Sequence, residues 1–277
     1  MSNPTKQDAI KLLDVFDPEM ATLLHREEKR QFETIGLIAS ENVVSPMASC
    51  LEGSAFTNKN TEGEAGKRFV GGCQLSDQAE LLAVERVKLA FGVDHANIQC
   101  GNATIANIAV LRAFLKPGDT FMGLTLDNGG HLSHGAKFHF SGAMFNAVHY
   151  GVSRETEMID MDEVHRLALE NKPKLICVGA SSYPRLIDYK RFREICDEVG
   201  AYFWVDCAHD CGLIAGGAIP SPVEYAHVIT FSTQKTLRGP RGCGVILVCK
   251  DIEIPDGKNK DGSPKYTKLS LKIDRSV

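Results

Sequence analysis

The stretch AHVITFSTQKTLRGPRG, residues 226–242, places Lys235 just beyond an apolar, strand-like run. Similar apolar runs recur along the chain, and helical stretches separate them. The runs lie at 96–99, 119–124, 145–149, 174–179, 201–206, 227–232 and 243–249, and the helical stretches include 103–115, 162–170 and 188–199. This alternation predicts the α/β class: a mostly parallel sheet covered by helices, with ligands bound beyond the carboxyl ends of the strands.

Composition and charge exclude several classes of function. The chain has 277 residues, with 31 Lys and Arg against 35 Asp and Glu, and a formal charge of −4. Because phosphate binding needs clustered basic side chains and no basic block occurs, we expect neither nucleic acid nor anionic lipid as a partner. No apolar run approaches the ~20 residues that span a bilayer, and the N-terminus lacks the apolar core of a signal peptide. The sequence therefore predicts a cytoplasmic protein without membrane contact.

The nine cysteines are scattered through apolar segments, which predicts reduced, mostly buried thiols and no disulfides. Cys207 and Cys211, with His209 between them, form one close group. No second cluster has the spacing of metal ligands, so we expect no metal site.

Local signals predict the ends of several elements. Asp17 and Pro18 begin a charged helix that ends near Phe32, and Ser76 caps a helix over 75–91. Residues 255–264, rich in Gly, Pro and charge, predict a surface loop. Residues 265–273 predict a short basic helix after it.

Two side chains at strand ends carry the chemistry. Lysine forms a Schiff base with an aldehyde, and nearby arginines would lower the pKa of Lys235 toward the nucleophilic amine. Asp206 ends the apolar run 201–206, and a pyridoxal phosphate enzyme needs such a carboxylate to keep the pyridinium nitrogen protonated. The alternatives are a solvated lysine in a basic loop and an aspartate that caps the following helix.

Two further turns follow strands. In the first, at 99–103, the residues Cys100, Gly101 and Asn102 lead into a helix, whose free N–H groups suit a phosphate. In the second, at 129–135, His131 and His134 stand among glycines, and a planar imidazole there can stack on a heteroaromatic ring. A strand, a glycine turn and a helix occur together in any α/β fold, so the first turn alone is a weak signal.

Taken in order, these segments resemble the serine hydroxymethyltransferase family, pyridoxal phosphate enzymes of the aspartate aminotransferase fold type. The resemblance is carried by GLIASEN at 36–42, TEG and GKR within 61–68, GGHLSHG at 129–135, VDCAH at 205–209 and KTLRGPRG at 235–242. It implies a three-layer α-β-α large domain over residues 46–277, preceded by an N-terminal helical arm at 1–45. The family's C-terminal small domain is expected to be absent from this chain.

The resemblance also implies roles for individual residues. Lys235 would hold pyridoxal 5′-phosphate as the Schiff-base lysine, Asp206 would pair with the pyridine nitrogen, and His131 would stack over the ring. Glu62 would be the acid–base carboxylate at the substrate hydroxyl, and Ser40 would lie near the substrate carboxylate. The other cofactor contacts that it implies are His209 at the 3′-oxygen, Ser181, Cys100, Gly101, Asn102, Thr233 and Gln234.

The chain departs from the family pattern at supporting positions. Asn60 stands where the family usually has a tyrosine, Phe69 and Val70 where it has a tyrosine pair, and Gln234 where it has a histidine before the lysine. Those family tyrosines reach the neighbouring subunit's cofactor or hold the folate. An amide still donates hydrogen bonds to phosphate oxygens, so we expect pyridoxal phosphate to bind. The changes leave room for an α-substituted serine as substrate, and leave the use of tetrahydrofolate open.

These implications favour pyridoxal phosphate-dependent hydroxymethyl transfer on a small amino acid such as serine, glycine or an α-substituted serine. A second polypeptide is expected to supply the absent small domain, in a homo- or hetero-oligomer. Two alternatives stay open. One is a noncatalytic or regulatory homologue that binds a full-length relative; the other is a pyridoxal phosphate aldolase, decarboxylase or aminotransferase of the same fold.

Overall fold

The computed structural model describes residues 6–259 and 261–277. Its α-helices are α1 Lys6–Phe16, α2 Pro18–Glu33, α3 Pro46–Glu52, α4 Gln74–Phe91, α5 Ala103–Phe114, α6 Phe140–Met144, α7 Met161–Asn171, α8 Tyr189–Val199, α9 Cys211–Ala215 and α10 Leu269–Asp274. Its strands are β1 Gly63–Glu64, β2 Lys67–Arg68, β3 His95–Cys100, β4 Thr120–Leu124, β5 Asn146–Tyr150, β6 Leu175–Val178, β7 Tyr202–Asp206, β8 Val228–Ser232, β9 Gly244–Val248, β10 Glu253–Lys258 and β11 Pro264–Lys268.

Seven strands form one mixed sheet in the order β3-β9-β8-β7-β6-β4-β5. The pairs from β5 through β4, β6 and β7 to β8 are parallel, whereas β9 pairs antiparallel with both β8 and β3. Six strands therefore run in one direction, and their carboxyl ends meet at one edge of the sheet. This arrangement confirms the predicted mostly parallel sheet.

Helices cover both faces of this sheet. Every residue of β6 is buried, as expected for a strand that is covered on both sides. Its side chains alternate between two cores: Leu175 packs with residues of α5 and α10, and Ile176 packs with residues of α4, α7 and α8. The structure thus confirms the three-layer α-β-α arrangement that the sequence predicts.

The helices of the N-terminal segment follow their capping signals. Asp17 caps α2, since its Oδ1 accepts the backbone N–H of Met20 at 3.0 Å, and Pro18 occupies the first turn. The predicted cap at Ser76 is wrong. Helix α4 begins at Gln74 with Cys73 as its N-cap, so Ser76 already lies in the first turn. The boundary of the helical arm at residue 45 stays a prediction.

The chain after β9 differs from the predicted loop and helix. Strands β10 and β11 form an antiparallel hairpin in which Ile254 pairs with Thr267 and both are buried. The helix α10 is confined to Leu269–Asp274. The Gly- and Pro-rich composition of 255–264 concealed this hairpin, because only its inward positions are buried and its outward positions are charged.

The remaining general features concern thiols and membrane helices. The nine cysteines are free, and most of them are buried. Residues 6–259 and 261–277 hold no group of three or more His, Cys, Asp or Glu side chains placed to bind a metal ion. No helix in the same ranges has the length and apolarity to cross a membrane.

Candidate active site

The predicted cofactor residues converge on the edge where the parallel strands end. Asp206 is the last residue of β7, Lys235 follows β8, and His131 lies in the loop after β4. The backbone joins these loops: the N–H of Ser181, in the loop after β6, donates to the carbonyl of Gly129 at 2.7 Å. One edge of the sheet therefore carries a lysine, a carboxylate and an imidazole from three different loops.

The Asp206 carboxylate is buried, and both of its oxygens accept hydrogen bonds. Its Oδ2 accepts hydrogen bonds from Nε2 of His134 at 3.0 Å and from Nδ2 of Asn107 at 2.7 Å. Its Oδ1 accepts the backbone N–H of Ala208 at 3.0 Å. Burial would raise the pKa of this carboxyl, but the hydrogen bonds that it accepts from His134 and Asn107 outweigh burial and hold the pKa well below its usual range. Asp206 is thus ionised at neutral pH.

The alternative reading of Asp206 as a helix cap does not describe the fold. The following helix, α9, has Asp210 as its N-cap, and Asp206 lies at the end of β7 instead. The space beside it is tight, because a Cβ on Gly179 would stand 2.1 Å from the Asp206 carbonyl oxygen. The end of β6 therefore needs a glycine, which sits at φ +146°.

The backbone selects the tautomer of His134. The N–H of His131 donates to Nδ1 of His134 at 3.2 Å, so Nδ1 acts as an acceptor and carries no proton. The proton of a neutral ring must then lie on Nε2, which faces Asp206. His134 therefore donates to the carboxylate without itself being charged.

His131 is held as a neutral ring. Its Nδ1 accepts from the backbone N–H of Ser133 at 3.2 Å and lies 2.7 Å from the Ser133 hydroxyl. Burial lowers the pKa of His131 to about 4, so the imidazole is uncharged at neutral pH. The ring borders a cavity of about 250 Å³, to which Leu126 and His149 also contribute. An uncharged, anchored ring at a cavity wall is suited to stacking on a planar ligand.

Lys235 is buried rather than solvated, with 9% of its surface exposed. Burial lowers the pKa of its amine, and Asp206 partly offsets this effect. The arginines 238 and 241, which the sequence suggested as the cause, are exposed and make no contribution of note. Within the described ranges the Nζ atom has no hydrogen-bond partner, and unlike the Ser232 hydroxyl it is not fully buried. A mostly buried lysine whose amine is unbonded and accessible matches what an aldehyde cofactor requires.

Close backbone contacts fix the loop that carries Lys235. The hydroxyl of Thr236 donates to the carbonyl of His209 at 2.7 Å and accepts the N–H of Gly212 at 3.0 Å. These bonds tie the loop after β8 to the loop after β7. His209 is half-buried there, and burial together with the charge of Lys235 lowers its pKa to about 4.

The segment before α3 packs on the same loop. The amide of Asn42 donates from Nδ2 to the carbonyl of Lys235 at 3.1 Å, and the N–H of Ser45 donates to the carbonyl of Arg238 at 3.4 Å. Ser40 lies half-buried at the start of this segment. The region predicted to meet the substrate carboxylate is therefore attached to the lysine loop.

The turn after β3 lies slightly later than the sequence suggested. Cys100 is the last residue of β3, is 2% exposed and packs in the core, where burial raises the pKa of its thiol to about 11. Asn102 caps α5, accepting the N–H of Ile105 at 3.0 Å. The N–H groups of Ala103 and Thr104 stand at the open end of the helix. Sequence reasoning missed Thr104, whose signal was a hydroxyl in the first turn after a strand.

Two buried polar atoms near the lysine have no partner within the described ranges. They are the Ser232 hydroxyl and Oε1 of Gln234. Buried polar groups are normally hydrogen-bonded, so these unpaired atoms indicate space for a polar ligand group. The residues present fit a phosphorylated aldehyde cofactor, since an amine, a carboxylate, an imidazole and the N-terminus of α5 lie along one edge of the sheet.

Glu62 is not brought to Lys235 by any contact within the described ranges. Its exposed side chain lies at the rim of a cavity of about 590 Å³ that also includes Gln99. The loop is anchored by the buried Arg68, whose Nε donates to Asp77 at 2.8 Å and whose guanidinium also bonds to Glu80. Sequence reasoning did not single out this anchor, although a GKR turn followed by two acidic residues on one helix face was a visible signal.

Comparison with known proteins agrees with this site. A family model described as serine hydroxymethyltransferase matches residues 13–277. The chain belongs to the serine hydroxymethyltransferase family. A curated serine hydroxymethyltransferase of Coprothermobacter proteolyticus is 56% identical over 234 residues, covering 84% of this chain and 56% of that protein. One of Xanthomonas axonopodis pv. citri is 54% identical over 235 residues, covering 85% and 56%.

Membership of the serine hydroxymethyltransferase family has two immediate consequences. Enzymes of this family use pyridoxal phosphate, with tetrahydrofolate as co-substrate. The chain spans 56% of the length of these two curated relatives. The family match over residues 13–277 includes the lysine, aspartate and histidine loops described above.

Proposed function

We propose that this chain binds pyridoxal phosphate at the sheet edge and takes part in hydroxymethyl transfer on a small amino acid. The observation that carries the proposal is the pairing of a buried, partner-free Lys235 with a buried, ionised Asp206. When bound, pyridoxal phosphate supplies an electron sink for the carbanion that forms at the amino acid's Cα. The chain's own residues supply the rest.

Each cofactor residue has a task that its surroundings support. Asp206 is ionised and would hold a proton on the ring nitrogen, while Lys235 offers an amine to the cofactor aldehyde. His131 is neutral and would lie over the ring without repelling a proton on it. His209, Ser181 and Thr233 would bond the cofactor's remaining oxygens.

The phosphate would lie at the open end of α5. The N–H groups of Ala103 and Thr104, the Thr104 hydroxyl and the amide of Gln234 are donors, and the helix dipole favours an anion there. Asn102 and Gly101 would shape the turn. Cys100 is left out of this role, because its thiol belongs to the core.

Glu62 would exchange the proton of the substrate hydroxyl, and Ser40 would contact the substrate carboxylate. The exposed position of Glu62 suits a contribution to the site of a neighbouring copy in an oligomer. Asn60 donates no phenol here; its Oδ1 accepts the N–H of Glu62 at 3.3 Å. The loss of the family's tyrosines at Asn60, Phe69 and Val70 leaves room for serine, glycine or an α-substituted serine as the substrate class, with tetrahydrofolate as carrier.

A complete site also needs the part of the relatives' length that this chain does not cover. Several apolar side chains of the N-terminal region, among them Phe32, Ile35 and Leu37, are about nine-tenths exposed and call for a covering partner.

A noncatalytic homologue is the main rival, and a pyridoxal phosphate aldolase is a second. A regulatory protein has no need for an ionised buried carboxylate beside a buried amine, because keeping that charge in the interior costs stability. The retained chemical residues therefore favour catalysis.

The test is an absorbance spectrum of the purified protein with added pyridoxal phosphate. It is recorded alone and with a companion polypeptide carrying the remaining part of the family fold. Lys235→Ala removes the amine, Lys235→Arg keeps the charge, and Lys190→Ala removes an exposed lysine as a control. We expect a cofactor band that needs Lys235 and shifts on adding serine or α-methylserine only with the companion. A band unaffected by both Lys235 variants would overturn the proposal.

A further inference from the structure

Asn107 is a fully buried amide on α5, among alanine, valine and leucine side chains. Its Nδ2 donates to Oδ2 of Asp206 at 2.7 Å and to the hydroxyl of Ser133 at 2.8 Å. Its Oδ1 accepts the hydroxyl of Thr230 at 2.6 Å. A polar side chain in such a setting is costly unless every group is paired, and here every group is paired.

The orientation of this amide is determined by Trp204 in β7 and Thr230 in β8, on the face of the sheet that α5 covers. The indole of Trp204 donates from Nε1 to the Thr230 hydroxyl at 2.9 Å, and an indole N–H can only donate. Thr230 must therefore send its own proton to Asn107, which fixes the amide oxygen toward Thr230. The two amide protons are then directed to Asp206 and Ser133.

The Ser133 hydroxyl links this amide to the ring of His131. Because it accepts from Asn107, its proton is free to go to Nδ1 of His131, 2.7 Å away. Nδ1 of His131 also accepts the backbone N–H of Ser133, so this ring is protonated on Nε2. One amide thus donates both to the carboxylate and to the hydroxyl that anchors the imidazole. The carboxylate and the imidazole are the groups proposed to face the cofactor ring.

We infer that Asn107 is a positioning residue, which, held by Trp204 and Thr230, fixes the Asp206 carboxylate and the Ser133 hydroxyl that anchors His131 before any cofactor arrives. The inference rests on the proposed function for its purpose, but its physical content concerns the chain alone. Sequence patterns did not reveal it, since a single Asn in an apolar helix has no partner in its own segment.

Other charged and titratable groups also act on Asp206, and the test has to separate them. They come from four loops or strands: His131 and His134 after β4, Lys235 after β8, Asp210 and Cys207 after β7, and Cys177 in β6. None of these is altered by changing Asn107 or Thr230. A change of titration on substituting either residue therefore reports on the amide.

The experiment is a pH titration by NMR of the full chain without cofactor. Aspartate is labelled with ¹³C at the carboxyl and histidine with ¹⁵N in the ring, and Asp206→Asn identifies the Asp206 signal. The variants are Asn107→Leu, which keeps the volume, and the matched pair Thr230→Val and Thr230→Ser. Loss of one hydrogen bond to a charged group should raise the Asp206 pKa by about one to two units in Asn107→Leu.

The same variant should leave His131 protonated on Nε2, which the ¹⁵N shifts report, because the backbone N–H of Ser133 still donates to its Nδ1. Thr230→Val should raise the Asp206 pKa by a smaller amount, and Thr230→Ser should restore the wild-type titration. An unchanged Asp206 titration in folded Asn107→Leu would overturn the inference. If that variant does not fold, identical titrations of Thr230→Val and Thr230→Ser would overturn it instead. These readouts need no cofactor, so failure of the proposed function would appear separately in the absorbance test.

Discussion

The Nε2 atom of His134 lies 3.0 Å from Oδ2 of Asp206, and both side chains are almost completely buried. The pair gains its direction from the backbone N–H of His131, which occupies the opposite nitrogen of the His134 ring. A donor whose proton can point only at the carboxylate stabilises the charged carboxylate without adding a second buried charge. This is how the chain keeps an ionised aspartate inside its core.

The buried neutral histidines predict that the protein loses stability in mild acid. Burial lowers the pKa values of His131, His209 and His227 to about 4. The unfolded chain, with histidine pKa values of about 6.5, binds more protons between these limits, so stability falls as the pH drops from about 6.5 to 4. Each of these three rings should lower the free energy of unfolding by about 1 kcal/mol at pH 5, after allowing for its partial exposure.

Urea unfolding at several pH values measures the slope of the free energy of unfolding against pH. His209→Gln should flatten it, because this substitution removes one of the rings whose pKa burial lowers. Asp206 stabilises the folded protein fully above about pH 4, because its pKa is lower in the folded chain than in the unfolded chain. This stabilisation is lost only as the pH falls further. Stability that rises on acidification from pH 6.5 would contradict the burial of these rings.

Gly179→Ala should be severely destabilising. A Cβ there would stand 2.1 Å from the Asp206 carbonyl oxygen, at a φ of +146° that other residues rarely adopt. The expected cost is about 3 kcal/mol or more, from overpacking together with backbone strain. Gly200→Ala is the matched control, since φ is +70° with open space around the Cβ, and about 1 kcal/mol is expected. Equal losses of stability for the two variants in thermal or urea unfolding would contradict the close approach between residue 179 and the Asp206 carbonyl.

Arg68→Ala should release the loop that carries Glu62. The guanidinium is buried and bonded to Asp77, Glu80 and the carbonyl of Thr61. Removing it should destabilise the protein and make residues 60–67 sensitive to brief proteolysis. The neighbouring Lys67→Ala, which breaks an exposed pair with Glu64, should change stability little and leave the proteolysis pattern unchanged. Similar behaviour of the two variants would refute the anchoring role.

The position of the phosphate turn can be tested by comparing two ligands. Thr104→Val should weaken the binding of pyridoxal phosphate about tenfold, as expected for one lost hydrogen bond to an anion, and should not change the binding of pyridoxal. Cys100→Ala should change neither affinity, because the thiol lies in the core. Fluorescence titration measures both dissociation constants. Weaker phosphate binding in Cys100→Ala alone would place the turn where the sequence first suggested.

Much of the fold was predictable, because buried parallel strands appear as uninterrupted apolar runs. The same logic located Lys235 and Asp206, since each directly follows such a run. The hairpin of β10 and β11 was not predictable in this way, because Ile254 and Thr267 alternate with charged residues in a Gly-rich segment. A hairpin with charged, exposed side chains and several glycines has the same amino-acid composition as a surface loop, so composition alone does not distinguish the two.

Contacts between segments that are distant along the chain could not be predicted from the sequence either. Asn107 and Thr230 are 123 positions apart, and nothing local identifies them as partners. The lowered pKa of Lys235 was expected, but its cause is burial rather than the arginines beside it in sequence. Neighbouring residues along the chain are visible in a sequence, whereas the depth at which a side chain is buried depends on the whole fold.

The most direct test of the account is to find which amine holds the cofactor. The protein is incubated with pyridoxal phosphate and reduced with borohydride, which fixes the cofactor covalently to that amine, and the labelled peptide is identified by mass spectrometry. We predict a single label at Lys235, lost in Lys235→Arg and retained in Lys190→Ala. Label spread over exposed lysines, with Lys235 unmodified, would contradict the assignment of this sheet edge as a cofactor site.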